Sequence, residues 1–458
     1  MIHKFVLDGA HIVVDVNSGT VHVTDKIGWQ LLDLVGDSEA LAEHETCPGH
    51  IQTALAEAYH SSEVEEAWQE LRQLVLEGRL FTPDTPFSEL HRASEPVVKS
   101  LCLHIAHDCN LRCRYCFAGT GQFGGDRELM SEETGRAALD FILESSGARK
   151  NCEVDFFGGE PLMNFGVVQR LVEYGRVRAA EKGKVIKFTL TTNGVLLDEK
   201  VAQWLNEQEI AVVLSLDGRP EVNDRMRPFV SGQGCYDRIV PRLQSFVESR
   251  QNQNYYVRGT FTAHNLDFSQ DVQHLADLGF QQISVEPVVA PETEDYALKL
   301  ADVPMLEAEY EQLTRKYLEY QQQGRPFNFF HFNLDLSGGP CIAKRIAGCG
   351  AGHEYMAVSP KGELFPCHQF VGRPEFSLGN VFERNLKVAT MEQFRHAHIY
   401  NKPTCGGCWA KFFCSGGCHA NAYAANGSLL EPQEIGCRLE KKRLECAIYL
   451  QVKQAGLV

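Results

Sequence analysis

Cys109-Asn-Leu-Arg-Cys113-Arg-Tyr-Cys116 is the stretch of this chain that decides its fold. The three thiols directly follow an apolar run that predicts a buried strand at 98–106. Their spacing indicates iron-sulfur chemistry, and three thiolates are one short of the four that complete a cubane cluster. One iron is then left open for another ligand. Zinc is the alternative for closely spaced cysteines, but a loop without an obvious fourth ligand would leave a zinc site incomplete.

Bulk properties set limits on the rest of the chain. Its 458 residues are enough for two to three domains. The net charge of -16 disfavours partners such as nucleic acid or an anionic membrane, which need basic patches. The segment from Met1 to Asp8 lacks the features of a secretory signal, and no run of residues is apolar enough to suggest a membrane span. We therefore expect a cytoplasmic protein.

The 16 cysteines are better explained by metal ligation than by disulfides in a reducing compartment. Eight of them crowd the last quarter of the chain, around Cys405-Gly-Gly-Cys408-Trp-Ala-Lys-Phe-Phe-Cys414-Ser-Gly-Gly-Cys418. Five others lie outside the clustered pattern and are interpreted as buried structural thiols: Cys47, Cys102, Cys152, Cys235 and Cys446.

A strand followed by a helix repeats six times after about Val97, with strands predicted at 98–106, 152–157, 185–191, 210–216, 255–262 and 282–288. This order implies a parallel sheet in an open or partial barrel, with polar groups gathered at the carboxyl ends of its strands. Four segments fall at such ends: the cysteine loop, Gly158-Gly159-Glu160-Pro161, Thr192-Asn193-Gly194 and Ser215-Leu-Asp217-Gly218. A helical connector follows at 304–323.

The two ends of the chain differ from this middle part. Residues 3–24 alternate as short strands around the turn Asn17-Ser-Gly-Thr, and helical periodicity follows at 28–35 and 62–77. From about Ser337 to Cys437 few long elements are readable, so we expect bound metal to supply part of the stability there.

The cysteine loop, with the aromatic Tyr115 before its last cysteine, resembles the hallmark of the radical S-adenosylmethionine (SAM) enzymes. The resemblance implies a 4Fe-4S cluster on Cys109, Cys113 and Cys116, with Gly158, Gly159 and Glu160 near the amine of SAM. An ordinary loop with a solvated glutamate is the alternative for the last three. Other SAM contacts are implied for Asn193, Ser215, Asp217 and Arg227; as alternatives, the first three are turn formers and the arginine lies on the surface.

Seven cysteines of the last quarter resemble the SPASM domain. The resemblance implies one auxiliary 4Fe-4S cluster on Cys405, Cys408, Cys414 and Cys437, and a second on Cys349, Cys367 and Cys418. Cys341 is the candidate for the missing ligand of the latter, and a cysteine of a substrate is the alternative. Zinc at these sites is a further alternative, because a set of thiolates does not choose between zinc and iron-sulfur.

The N-terminal part resembles the recognition element of ribosomal-peptide tailoring enzymes. Such an element would take a leader peptide as an added edge strand. A structural cap is the alternative. These resemblances predict an α/β fold with four parts: a winged-helix-like recognition element at 1–83, a linker at 84–97, a partial (β/α)6 radical SAM barrel at 98–330 and a SPASM domain at 331–458.

The whole chain, including Gly339-Pro-Cys341 and Gly348-Cys349-Gly-Ala-Gly, resembles the maturases of SCIFF (six cysteines in forty-five) peptides, which belong with the thioether-forming ranthipeptide enzymes. The implied activity is thioether crosslinking of a cysteine-rich precursor peptide through a 5′-deoxyadenosyl radical, with ferredoxin or flavodoxin as reductant. Sulfatase-maturing relatives carry an aspartate where this chain has His368, which speaks against formylglycine chemistry. The alternatives are another SPASM modification, such as a carbon-carbon crosslink or side-chain oxidation, and a non-catalytic metal-stabilised adaptor.

Overall fold

A computed structural model describes residues 1–84, 97–336 and 346–458. The chain begins with a three-stranded antiparallel sheet of β1 (Ile2–Leu7), β2 (Ala10–Asp15) and β3 (Val21–Thr24), as the alternating pattern predicted. Four helices follow: α1 (Lys26–Val35), α2 (Ser38–Glu43), α3 (Gly49–Leu55) and α4 (Ser61–Leu76). The periodicity predicted α1 and α4 but not the short α2 and α3.

Helix α4 shows why periodicity located it. Val64, Ala67, Trp68 and Leu71 recur at helical spacing and are buried against the other helices of the N-terminal part. Its chain reverses at Gly78, whose φ of 67° is the left-handed conformation that favours glycine. The backbone N–H of Arg79 then bonds to the carbonyl of Leu74 and closes the last turn.

Six parallel strands form the central sheet, and they adjoin one another in sequence order. They are β4 (Ser100–Ala106), β5 (Asn151–Gly158), β6 (Val185–Thr192), β7 (Ala211–Ser215), β8 (Tyr255–Phe261) and β9 (Gln282–Pro287), each within two residues of its predicted bounds. The helices between and after them are α5 (Glu132–Ser145), α6 (Phe165–Glu181), α7 (Glu199–Glu207), α8 (Pro220–Met226), α9 (Tyr236–Ser249) and α10 (Phe268–Asp277). The predicted partial barrel is confirmed.

The sheet extends beyond the six predicted strands at both edges. After α11 (Val303–Gln322), the short β10 (Asn328–Phe329) pairs with β9. At the opposite edge β11 (Tyr355–Val358) pairs in parallel with β4, followed by the antiparallel β12 (Glu363–Phe365) and β13 (Gly379–Asn380). The cysteine-rich part therefore shares a backbone hydrogen-bond ladder with the barrel.

Four helices complete the described chain: α12 (Val388–His396), α13 (Lys411–Cys414), α14 (His419–Asn426) and α15 (Glu434–Gln454). The C-terminal region also holds an apolar core that its sequence did not reveal. Phe370, Phe376 and Phe394 pack together with Phe365 and partly buried Tyr423. These aromatic residues are widely spaced along the chain, which hides them from a search for continuous apolar runs.

The isolated cysteines and the lengths of the helices can also be compared with the sequence predictions. The five cysteines outside the clustered pattern are all buried, as predicted. In the part of the chain that the structure describes, no helix has the length and apolar character needed to cross a membrane.

Candidate active site

The cysteine loop leaves the end of β4 and is fixed by a distant part of the chain. The N–H groups of Arg112 and Arg114 donate to the carbonyls of Pro228 and Met226, both at 2.8 Å. This pairing places Arg227 beside the loop, where it is only 6% exposed. The interpretation of Arg227 as a surface arginine is therefore wrong.

Glycines 158 and 159 allow the end of β5 to pass close to this loop. A Cβ at Gly158 would collide with the carbonyl oxygen of Ala106, and one at Gly159 with the carbonyl oxygen of Asp108. Gly158 also has a φ of 124°, which side chains rarely adopt. We expected the glycines to let the backbone approach a ligand; in the structure their first effect is to let β5 approach the cysteine loop.

Glu160 is fully buried rather than solvated. Its carboxylate accepts hydrogen bonds from the N–H of Leu162 at 3.0 Å, the hydroxyl of Thr192 at 2.8 Å and the N–H of Asn193 at 2.8 Å. Burial raises the pKa of Glu160 to about 7, and these hydrogen bonds oppose the rise. The side chain thus fixes the end of β6, and Thr192 and Asn193 in turn line the cavity.

A cavity of about 260 Å³ lies at the carboxyl ends of the strands. All three thiols of the loop face it, together with Gly158, Gly159, Asn193, Ser215 and Arg227. The amide of Asn193 donates to Asn110 at 2.8 Å and lies 3.6 Å from the sulfur of Cys109. The structure therefore brings most of the predicted cofactor contacts to one place.

Tyr115, Asp217 and Arg227 form a buried network beside the cavity. The Tyr115 hydroxyl donates to the Asp217 carboxylate at 2.7 Å and accepts from the Arg227 guanidinium at 3.0 Å. Burial raises the pKa of Asp217 to about 6, while the positive charge of Arg227 opposes the rise. Nε of Arg227 is buried and has no hydrogen-bond partner among the described residues. A cavity lined by an unsatisfied guanidinium nitrogen suits a polar ligand.

Several cavity residues had not been predicted. Arg258 and Glu286 form an ion pair in the cavity wall, on β8 and β9. Glu286 lies near the carboxyl end of the last barrel strand, so the strand-end rule applied to all six strands would have found it. His368 also lines the cavity and is hydrogen-bonded at 3.0 Å to the hydroxyl of Tyr355.

The C-terminal cysteines fall into two groups. The first group contains Cys349, Cys367 and Cys418. The negative charges of Cys418 and Cys349 add to burial in raising the pKa of Cys367. Cys349 and Cys418 are exposed, whereas Cys367 is buried. Cys341 lies outside the described residues. The members are those that the SPASM resemblance implied, and their role as ligands stays a prediction.

The second group contains Cys405, Cys408, Cys414 and Cys437. Burial raises the pKa of Cys414 to about 12, and the charges of Glu440, Cys437 and Cys405 add to this effect. Cys405 and Cys408 likewise add to burial in raising the pKa of Cys437. Four thiols close enough to influence one another fit the donor set of a complete 4Fe-4S cluster.

The cysteine loop with Cys109, Cys113 and Cys116 likewise fits the donor set of a cluster, here one with an open iron. Burial raises the pKa of Cys109 to about 11 and that of Cys113 to about 12, so cluster binding must displace their protons. Within the described ranges, His, Cys, Asp and Glu side chains do not meet in groups of three or more that could hold a single metal ion. The three loop cysteines are therefore grouped by the cavity that they share, and the C-terminal cysteines by the effect of their charges on one another's pKa.

Comparisons with known proteins agree with this geometry. Residues 98–238 match the model of the 4Fe-4S single cluster domain, and residues 349–409 match SPASM, an iron-sulfur cluster-binding domain. The radical SAM cyclopropyl synthase TigE of Paramaledivibacter caminithermalis is 23% identical over 75% of this chain and 72% of its own length. The antilisterial bacteriocin subtilosin biosynthesis protein AlbA of Bacillus subtilis is 25% identical over 72% of this chain and 70% of its own.

A solved structure of anSMEcpe with bound AdoMet and the Kp18Cys peptide has a TM-score of 0.64 and 21% identity. The match covers 79% of this chain and 100% of that one, and it concerns the fold. The two matched family models describe iron-sulfur cluster binding, and the solved neighbour holds AdoMet. The family-model matches and these relatives support a radical SAM enzyme with a C-terminal SPASM domain.

Proposed function

We propose that this enzyme forms intramolecular thioether crosslinks between cysteine thiols and acceptor residues of a ribosomally made, cysteine-rich precursor peptide, as the SCIFF-type ranthipeptide maturases do. The peptide class is supported by AlbA, whose name records a role in subtilosin biosynthesis, and by the peptide bound to anSMEcpe. This chain has His368 where sulfatase-maturing relatives carry an aspartate, and this difference favours a reaction other than formylglycine formation.

One observation carries the proposal. His368 and Gln369, which directly follow Cys367, line the same cavity as Cys109, Cys113 and Cys116. Asn421, one turn after Cys418, lines it too. A peptide thiol that joins Cys349, Cys367 and Cys418 in place of Cys341 would therefore lie across one cavity from the SAM site. Such proximity replaces a random encounter by a local reaction.

When bound, SAM and its cluster would supply the abstraction of one hydrogen atom from a peptide carbon, and the auxiliary clusters would supply an acceptor for the electron released when the peptide thiolate bonds to that carbon. The residues of the chain supply position. In this proposal Cys109, Cys113 and Cys116 hold the cluster, while Glu160 and Asn193 hold the methionyl end of SAM. Arg258 and Glu286 contact the peptide at the opposite wall. The reductant is a small electron carrier such as ferredoxin or flavodoxin.

The N-terminal part would select the peptide by its leader. Strand β3 pairs with β2 on one side, and no other described strand pairs with it. A free antiparallel edge can accept an extended peptide as a further strand. The N-terminal part also contacts the C-terminal part, because His3 stacks on Trp409 with ring centroids 3.9 Å apart. A leader bound at β3 would thus be held by a module that rests directly beside Cys408.

The test is anaerobic incubation of the reconstituted enzyme with SAM, a reductant and a cysteine-rich precursor peptide. Each thioether should lower the peptide mass by two hydrogens and protect one cysteine from alkylation. Peptides with Ser at each Cys are the control, and they should stay unchanged. Loss of two hydrogens from the Ser peptide would point to a carbon-carbon crosslink or oxidation instead, and an unchanged mass of the Cys peptide contradicts the proposal.

The role of Cys341 is tested separately. If a peptide thiol completes the first auxiliary group, Cys341→Ala should retain full iron content and should still modify the peptide. Loss of iron from this variant would assign the fourth position to Cys341, and the thiol would then have to react without joining the group.

A further inference from the structure

Lys402 is a lysine in the interior of the C-terminal part, with only 2% of its surface exposed. Its Nζ donates to the carbonyl of Gly416 at 2.6 Å. Among the described residues no Asp or Glu forms an ion pair with it, whereas the equally buried Lys411 pairs with Asp84 at 2.7 Å. A buried charge without a counter-charge is strongly unfavourable. Lys402 therefore needs an anion that the described carboxylates do not provide.

The position of the ammonium group indicates which anion this is. Gly416 lies midway between Cys414 of the second auxiliary group and Cys418 of the first. A Cβ at Gly416 would lie 3.4 Å from Nζ of Lys402, so the ammonium lies directly against this short loop. The carbonyl of Lys402 also accepts a hydrogen bond from the N–H of Cys405 at 3.1 Å. The lysine is thus built into the connection between the two cysteine groups.

The electrostatics agree with this placement. Four cysteines lie close enough for their charges, once ionised, to act on this ammonium group: Cys405, Cys414, Cys418 and Cys437. They include members of both groups. Lys441 also acts on Cys405 and Cys437, but it is half-buried, where water weakens its field.

We propose that the ammonium group of Lys402 is the shared counter-charge of the two auxiliary clusters and raises the reduction potential of both. Reduction adds one electron, and therefore one negative charge, to a cluster. A fixed positive charge in the low-dielectric interior stabilises the reduced form more than the oxidised form. Such a charge would help the auxiliary clusters to accept an electron. The inference rests on the clusters alone and does not depend on the identity of the peptide.

The experiment measures the midpoint potentials of the auxiliary clusters in the reconstituted full-length enzyme, by redox titration followed by electron paramagnetic resonance. Lys402→Met keeps most of the side-chain volume and removes the charge. We expect at least a tenfold shift of the reduction equilibrium toward the oxidised cluster, about 59 mV for a one-electron couple. Lys402→Arg retains the charge and should keep both potentials near those of the wild type.

The paired lysine provides a matched control. The double variant Lys411→Met with Asp84→Asn removes a compensated pair and should leave both potentials unchanged. Unchanged potentials in Lys402→Met contradict the proposal. Should that variant lose an auxiliary cluster, Lys402→Gln retains a donor for Gly416 without the charge. If both neutral variants lose a cluster but Lys402→Arg keeps it, the auxiliary clusters need the positive charge of Lys402 and the proposal is supported. Loss of a cluster in all three variants overturns the proposal.

Discussion

The hydroxyl of Tyr115 lies 2.7 Å from the carboxylate of Asp217, although 102 residues separate the two in the chain. The same hydroxyl accepts from Arg227, so one phenol bridges a buried acid and a buried base. The tyrosine of the cysteine motif is therefore a structural tie between the cluster loop and the end of β7.

Replacing Tyr115 by Phe should weaken the site without removing a cysteine. The variant removes the hydroxyl that Asp217 and Arg227 share, and a hydrogen bond to a charged group contributes roughly 1.5–3 kcal/mol. We expect lower cluster occupancy and weaker SAM binding, measured by iron analysis and by calorimetry. Tyr174→Phe is the matched control, because it removes a 2.8 Å bond to Asp140 on the helical layer. Equal losses in both variants would contradict a specific role of Tyr115.

Gly159→Ala should prevent assembly of the first cluster. Its new Cβ would meet the carbonyl oxygen of Asp108, a backbone atom that cannot move without displacing Cys109. Visible absorption and iron content after anaerobic reconstitution should show the loss of one cluster. Gly406→Ala serves as control, since a Cβ there meets no atom within 4 Å although Cys405 is its neighbour. A fully loaded Gly159→Ala enzyme would show that the contact is not needed.

Glu160→Gln should reduce SAM affinity at least tenfold. The amide NH2 would face donors at Thr192 and Asn193 in place of an acceptor, and the substitution would also remove the negative charge that the proposal places near the SAM amine. Equilibrium dialysis of the cluster-loaded enzyme measures the affinity. Glu153→Gln, an exposed change on the same strand β5, should bind SAM like the wild type. Unchanged affinity in Glu160→Gln would exclude both contact and positioning.

The cysteine groups should separate SAM cleavage from peptide modification. Cys109→Ala should abolish reductive cleavage of SAM, because it removes a ligand from the first cluster. Cys408→Ala should retain SAM cleavage but lose one auxiliary cluster and the modified peptide. Cys47→Ala, which removes a buried thiol of the N-terminal part, should keep all the iron. Chromatographic assay of 5′-deoxyadenosine and mass spectrometry of the peptide distinguish these outcomes.

The sequence predicted the parts of the site that follow a strand directly. Cys109, Gly158, Asn193 and Ser215 all come at strand ends, and parallel strands bring their ends to one edge of the sheet. Arg227 escaped this rule, because its burial depends on hydrogen bonds that the carbonyls of Met226 and Pro228 accept from a loop more than a hundred residues earlier. Long-range backbone pairing of this kind leaves no local pattern.

The C-terminal part was the harder region to predict. Its cysteine spacing was informative, but Phe370 and Phe394 give no periodic signal and still share one core. The parallel pairing of β11 with β4 could not be predicted either, because short strands with few residues carry little register information.

That pairing limits how the enzyme can move. Four residue pairs, from Tyr355 opposite Ser100 to Val358 opposite Leu103, join the two cluster-bearing parts in one ladder. A hinge between them would have to break these hydrogen bonds. The separation between the cysteine loop and the C-terminal thiols is then fixed. If the enzyme forms the proposed thioethers, a peptide with several cysteines would have to move along the cavity for each successive crosslink.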